Sequence, residues 1–254
     1  MGCARSHRTV LRKPSLGRYW RLRFSLHWPQ ATTKRARLIL TVAMAEKTSA
    51  APFVSEEHTL PILDAAMPRC KGCDLYLHAT QVVPGAGSSR AKLMLVGEQP
   101  GNEEDKQGAP FVGPAGGVLR RALDELHIKP ADVYVTNAVK HFKFVERGKR
   151  RIHETPRAGE VNACRPWLAA EIDAVRPRAI LCLGATAAKS MLGPKFSLLK
   201  ERGKIHSTPL AEQVLATIHP SAVLRNRDPQ DHERLYRYLV DDLALAYATA
   251  TGKR

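Results

Sequence analysis

No acidic side chain occurs before Glu46, and the 254-residue chain is poor in cysteine and aromatics, with five Cys and 6% Phe, Trp and Tyr. Five cysteines, odd in number and unevenly spaced, argue against a secreted disulfide framework and for a metal or a thiol. The longest mainly apolar run, Leu38 to Ala45, is far short of a bilayer span, so no transmembrane helix and no membrane partner are expected. No internal repeat is visible. What is present bounds the class from the other side. A hydrophobic content of 44% rules out a wholly disordered chain. The length suits one α/β domain with a real core, plus an arm.

Positive charge is abundant but unevenly placed. The chain carries 40 Lys and Arg against 24 Asp and Glu, a formal net charge of +16. Such a balance points to an anionic partner, nucleic acid first and acidic membrane second. Residues 1–43 hold ten of the basic residues and no acid, which leaves 30 basic against 24 acidic groups on residues 44–254. The arm lacks periodicity and reads as disordered. Three readings of it stand: a nucleic-acid-binding tail, a targeting segment ending at Ala43-Met44-Ala45, or an over-called extension with translation starting at Met44. Residues 44–69 follow as a polar lead-in containing Ala and Pro, and residues 70–250 form the main domain.

From Cys70 onward apolar runs alternate with amphipathic segments. Leu93-Met94-Leu95-Val96, Val133-Tyr134-Val135, Ala179 to Leu183 and Gln213 to Ile218 predict four strands. Helices are predicted over Ala115 to His127, Pro156 to Val175, a short stretch ending at Leu192, and a final segment capped by Asp228-Pro229. Residues 141–156 are basic and aperiodic and are expected to be a loop. This alternation predicts a three-layer α/β/α fold around a central, mainly parallel four-stranded sheet. Sites in such folds lie at the carboxyl ends of the strands.

Four candidate motifs fall at or near those ends, and each is weak alone. Gly97-Glu98-Gln99-Pro100-Gly101, continued through Asp105, and Pro110-Phe111-Val112-Gly113 form two glycine-rich turns around an aromatic side chain. Glycine lets a backbone approach a ligand closely, and Phe111 can stack on a base. Asn137 carries a donor and an acceptor together, as a pyrimidine edge requires. His219, in His219-Pro220-Ser221, can donate a hydrogen bond to charge developing on a leaving group. Gly148-Lys149-Arg150-Arg151-Ile152-His153 offers cations for phosphates and a histidine able to act as base or nucleophile. Separately, Cys70-Lys71-Gly72-Cys73 with Cys164 fits zinc, an iron–sulfur cluster or a redox pair. Cys182 lies within an apolar strand, where an inert buried thiol is the default.

Taken in order along the chain, these motifs resemble the iron–sulfur branch of the uracil-DNA glycosylase superfamily. Gly97-Glu98-Gln99-Pro100-Gly101 and Lys149-Arg150-Arg151-Ile152-His153 look like its UdgX type, whose members excise uracil and remain covalently attached to the DNA. The resemblance implies a [4Fe–4S] cluster held by Cys70, Cys73, His141 and Cys164. His141 takes the place of the branch's third cysteine; without the resemblance, Cys182 is the nominee for the fourth ligand. It implies a uracil site formed by Gly97, Gln99, Asp105, Phe111 and Asn137. It also implies DNA contacts from Lys149, Arg150, Arg151, Ser221, Leu224 and Arg225, with Leu224 filling the gap left by a flipped base.

The same resemblance assigns catalysis to three residues. His219 stabilises the uracil anion, His153 attacks C1′, and Glu98 orients His153 or takes its proton. The expected product is a histidine–deoxyribose adduct on uracil-containing, preferably single-stranded DNA. The protein is expected to be a cytoplasmic monomer of bacterial type. One alternative is a conventional glycosylase that turns over and releases an abasic site. Another, of a different class, is a non-catalytic nucleic-acid-binding protein with a structural zinc site.

Overall fold

A computed structural model describes residues 48–252, so the basic arm and the start of the lead-in lie outside the described residues. The sheet orders its strands β1 (Ala86–Gly87), β3 (Val133–Asn137), β2 (Leu93–Gly97), β6 (Ala179–Leu183), β8 (Ala211–Thr217) and β7 (His206–Thr208). Its centre is parallel: β2 lies between β3 and β6, and β6 pairs with β8. These are the four predicted strands. Two short antiparallel strands, β1 and β7, widen the sheet to six. Their two or three residues carry too little apolar pattern to be read from sequence.

Every residue of β2 and β6 is buried, as expected for parallel strands covered on both faces. One core joins Leu93, Leu95 and Leu181 to α3 (Pro114–Glu125), α7 (Pro220–Arg225) and α8 (Pro229–Thr251). The opposite face joins Met94, Val96 and Ile180 to α4 (Ala158–Val175) and α5 (Ala185–Leu192). Asp228 caps α8, its carboxylate accepting from the Gln230 and Asp231 N–H groups. Such a cap contributes about 1 kcal/mol. Among the described residues, no helix is long and apolar enough to cross a membrane.

A third core lies beside the sheet. Leu63 and Met67, from α1 (Leu60–Ala66) and the turn after it, pack with Ala50, Cys70, Val139, Cys164 and Trp167. The described part of the lead-in is therefore packed, and the Ala50 N–H donates to the Ala163 carbonyl at 2.7 Å. Pro166, inside α4, brings no N–H for the Asn162 carbonyl one turn earlier.

Residues 141–156 correct the expectation of a loop. They contain an antiparallel hairpin, β4 (Phe144–Arg147) and β5 (Arg150–His153), turned through Gly148 and Lys149. Gly148 has φ of 60°, suited to a tight hairpin turn. The hairpin forms a separate two-stranded sheet exposed along most of its length. It has no buried face to impose an alternating apolar pattern, and so it reads as aperiodic.

Candidate active site

The parallel register sets Gly97 beside Asn137 at the carboxyl edge of the sheet. A Cβ on Gly97 would strike Asn137 Oδ1 and come within 2.7 Å of the Phe111 ring. Only glycine allows the three groups to converge. Phe111 has φ of 54°, a costly conformation for an aromatic residue, and its carbonyl occupies the space a Cβ on Gly116 would need. Glu104 braces this arrangement, accepting from the Gly101 N–H at 3.0 Å and the Gly113 N–H at 2.8 Å. One carboxylate thus joins both glycine turns, a role the sequence reading missed. Asn137 is buried, yet among the described residues its side-chain amide is bonded to no other side chain. It can bond a ligand.

His219 borders the same pocket, its ring stacked 6.2 Å from that of Phe111. Its Nδ1 accepts the Ser221 N–H at 3.1 Å and lies 2.8 Å from Ser221 Oγ. An acceptor at Nδ1 leaves the proton on Nε2 in the neutral ring. Burial, aided by Arg225 and His153, pushes the His219 pKa down to about 4. His219 is therefore a neutral donor near pH 7. The Ser221 backbone N–H thereby sets this tautomer.

The hairpin brings His153 close enough to His219 for its charge to act there. His153 Nε2 lies 3.4 Å from Glu98 Oε1, with the imidazole half exposed. The hairpin base is fixed by Gln99, whose Oε1 accepts the Lys143 N–H at 2.9 Å. Gln99 Nε2 donates to the carbonyls of Lys143 and Glu154 at 3.2 and 3.1 Å. Three of the four hydrogen bonds the Gln99 amide can make thus go to the backbone on both sides of the hairpin.

Two expectations change because the fold supplies other partners. Asp105 is fully buried; its carboxylate accepts the Thr80 N–H and pairs with Arg151 at 2.5 Å. The Arg151 guanidinium also donates to Asn102 Oδ1 and Thr80 Oγ1 and lies over the Phe142 and Phe144 rings. Neither Asp105 at the uracil nor Arg151 on phosphate fits these partners. Together they anchor β5 to α2 (Asn102–Gln107). Lys149 and Arg150 are exposed near the hairpin tip, where phosphates can reach them. Leu224 is 45% exposed, and Arg225 ends the same helix.

The cysteines meet away from this pocket. Cys70, Cys73, His141 and Cys164 line one small cavity together with Lys140 and Trp167. Among the described residues, no three Cys, His, Asp or Glu groups converge on a single-ion site. Four donors around one cavity match the ligand count of a cluster in which each ligand takes a different iron. Burial holds the His141 pKa down at about 4, although Asp105 opposes this, so the imidazole is in its ligating, neutral form. Burial pushes the Cys164 thiol up to about 12; a bound cation would supply the charge needed to deprotonate it. Cys182 belongs to the sheet core and does not line the cavity.

Lys140 joins this cavity to the strand end. It is fully buried, and its ammonium contacts Glu171 at 2.6 Å, the Asn137 carbonyl at 2.8 Å and Thr136 Oγ1 at 2.5 Å. No charge pattern in the sequence pairs Lys140 with Glu171 across 31 positions.

Comparison with known proteins agrees with this geometry. The sequence model of the uracil DNA glycosylase superfamily matches residues 84–243. A type-4 uracil-DNA glycosylase of Thermotoga maritima is 37% identical over 193 residues, covering 76% of this chain and 95% of that protein. The type-4 enzyme of Pyrobaculum aerophilum is 36% identical over 170 residues, 64% of this chain and 83% of its own. A type-5 uracil-DNA glycosylase of the same organism is 32% identical over 157 residues, 55% and 65% of the two chains. With most of its described fold inside the superfamily match, the chain belongs to the uracil-DNA glycosylase superfamily.

Proposed function

We propose that this protein excises uracil from DNA and then captures the sugar through His153. The observation that carries the capture reading is the pinned hairpin, which holds His153 Nε2 3.4 Å from Glu98 Oε1 beside the pocket of Phe111, Asn137 and His219. Uracil stacks on Phe111, and the Asn137 amide pairs with its O4 and N3–H. Cleavage of the C1′–N1 bond moves the electron pair onto the base, where the neutral His219 Nε2–H donates to the developing charge. The sugar becomes oxocarbenium-like. An imidazole lone pair of His153 then bonds to C1′, giving a cationic ring, and Glu98 accepts the remaining N–H proton. The net products are free uracil and a histidine–deoxyribose adduct.

Single-stranded DNA is the preferred substrate in this reading, because an unpaired base is cheaper to extract. Lys149, Arg150 and Arg225 contact the backbone, and Leu224 fills the space left by the base. Cys70, Cys73, His141 and Cys164 hold a [4Fe–4S] cluster, which ties the lead-in, the segment after β3 and α4 together. The four cysteines of the described residues are unpaired thiols, compatible with a reducing cytoplasm, and the protein acts there as a monomer.

Incubation with uracil-containing single-stranded DNA, followed by a denaturing gel, tests the capture step. The native protein is expected to give a shifted band. His153→Ser is expected to abolish that band and to release abasic DNA with turnover. Excision without any shifted band from the native protein would reject covalent capture and leave a conventional glycosylase.

A further inference from the structure

Trp167 lies on α4 one turn after Cys164 and is fully buried. Its indole N–H has no acceptor; among the described residues, His206 Nε2 is the other buried side-chain polar atom in that state. Burying a donor without an acceptor is unfavourable, so native folds seldom retain one. Trp167 also lines the cavity shared by Cys70, Cys73, His141 and Cys164. The remaining lining residues, Ala50, Gly72, Ala163 and Lys140, bring no side-chain acceptor. Sulfur already accepts on this wall, since the Lys140 backbone N–H donates to Cys164 Sγ at 3.3 Å. A water is a poor substitute, because it needs two to four polar partners and these walls supply few.

We propose that the Trp167 indole N–H donates a hydrogen bond to a sulfur of the cluster assembly. The inference rests on the cluster reading above and deepens it. Trp167 thereby becomes a positioning and tuning residue for the cluster, with no contact to DNA. A donor to cluster sulfur favours the more negative, reduced state and raises the reduction potential. The neutral His141 ligand acts in the same direction, replacing one thiolate charge.

Two measurements on the full chain, purified without oxygen, test this. Resonance Raman spectra of the native protein in H2O and D2O are expected to show deuterium-sensitive iron–sulfur bands. Trp167→Phe, with iron and sulfide contents unchanged, is expected to lose part of that isotope shift and to move the reduction potential to a more negative value. An isotope shift and potential unchanged in a fully loaded Trp167→Phe protein would overturn the inference. Should the variant fail to retain iron, absence of isotope sensitivity in the native protein overturns it, and a native shift that Trp167→His, which restores a ring N–H, also shows supports it. A native protein that takes up no iron and sulfide would overturn the cluster reading, and this inference with it.

Discussion

Gln99→Ala should release the hairpin without disturbing the core. The Gln99 amide makes three hydrogen bonds to the backbone at Lys143 and Glu154, on the two sides of the hairpin base. At about 1 kcal/mol net for each bond, their loss favours hairpin opening by about 3 kcal/mol. Since 1.4 kcal/mol is tenfold, the opening equilibrium rises on the order of 100-fold. Hydrogen exchange followed by mass spectrometry reads this directly. Amides of residues 144–153 are expected to exchange about 100-fold faster, while those of the buried strand Ala179–Leu183 keep their protection. Adduct formation on uracil-containing DNA should fall further than uracil release, because the hairpin carries His153 but not Phe111, Asn137 or His219. Gln99→Glu retains the acceptor for the Lys143 N–H and loses both donors, so it should resemble alanine. Hairpin exchange within about threefold of the native rate would refute the clamp.

Gly97→Ala forces a methyl against Asn137 and Phe111; discrimination of uracil- from thymine-containing oligonucleotides by fluorescence anisotropy should disappear, with an overpacking cost of about 1–3 kcal/mol. Lys140→Met leaves Glu171 charged and buried, so urea unfolding should show a loss of about 3–5 kcal/mol, and adding Glu171→Leu should recover part of it. Burial holds His219 at about 4 instead of the ordinary 6.5, so between those values the unfolded chain binds a proton that the folded chain does not. Its contribution to stability is complete above pH 6.5 and declines as pH falls toward 4, by about 3 kcal/mol; His219→Gln should flatten the thermal-unfolding profile across that window.

Much of the scaffold was legible in the sequence, for local reasons. Leu93-Met94-Leu95-Val96 and Ala179 to Leu183 read as strands because both faces are covered and nearly every residue is apolar. Asp228-Pro229 read as a helix start because a cap acts within one turn. The motif residues were recognisable by type and order, and their places at strand ends followed from the alternation of elements. The hairpin was hidden because it lies outside the main sheet and has no buried face to impress on its residues.

The partners of the polar side chains were decided by the tertiary structure. Gln99, Asp105 and Arg151 each have the chemistry to touch a base or a phosphate. The fold instead brings the backbone at Lys143 and Glu154 to Gln99, and Asp105 to Arg151. Lys140 finds Glu171, and Trp167 faces the cysteine cavity, in the same way. The sequence by itself determined the four central strands, the cap of the last helix and which residue types stand near the site, since those depend on short-range periodicity and backbone chemistry. Only the tertiary structure decided which of these residues remain free for a ligand, because a hydrogen bond forms between neighbours in space, and here those neighbours lie tens of positions apart.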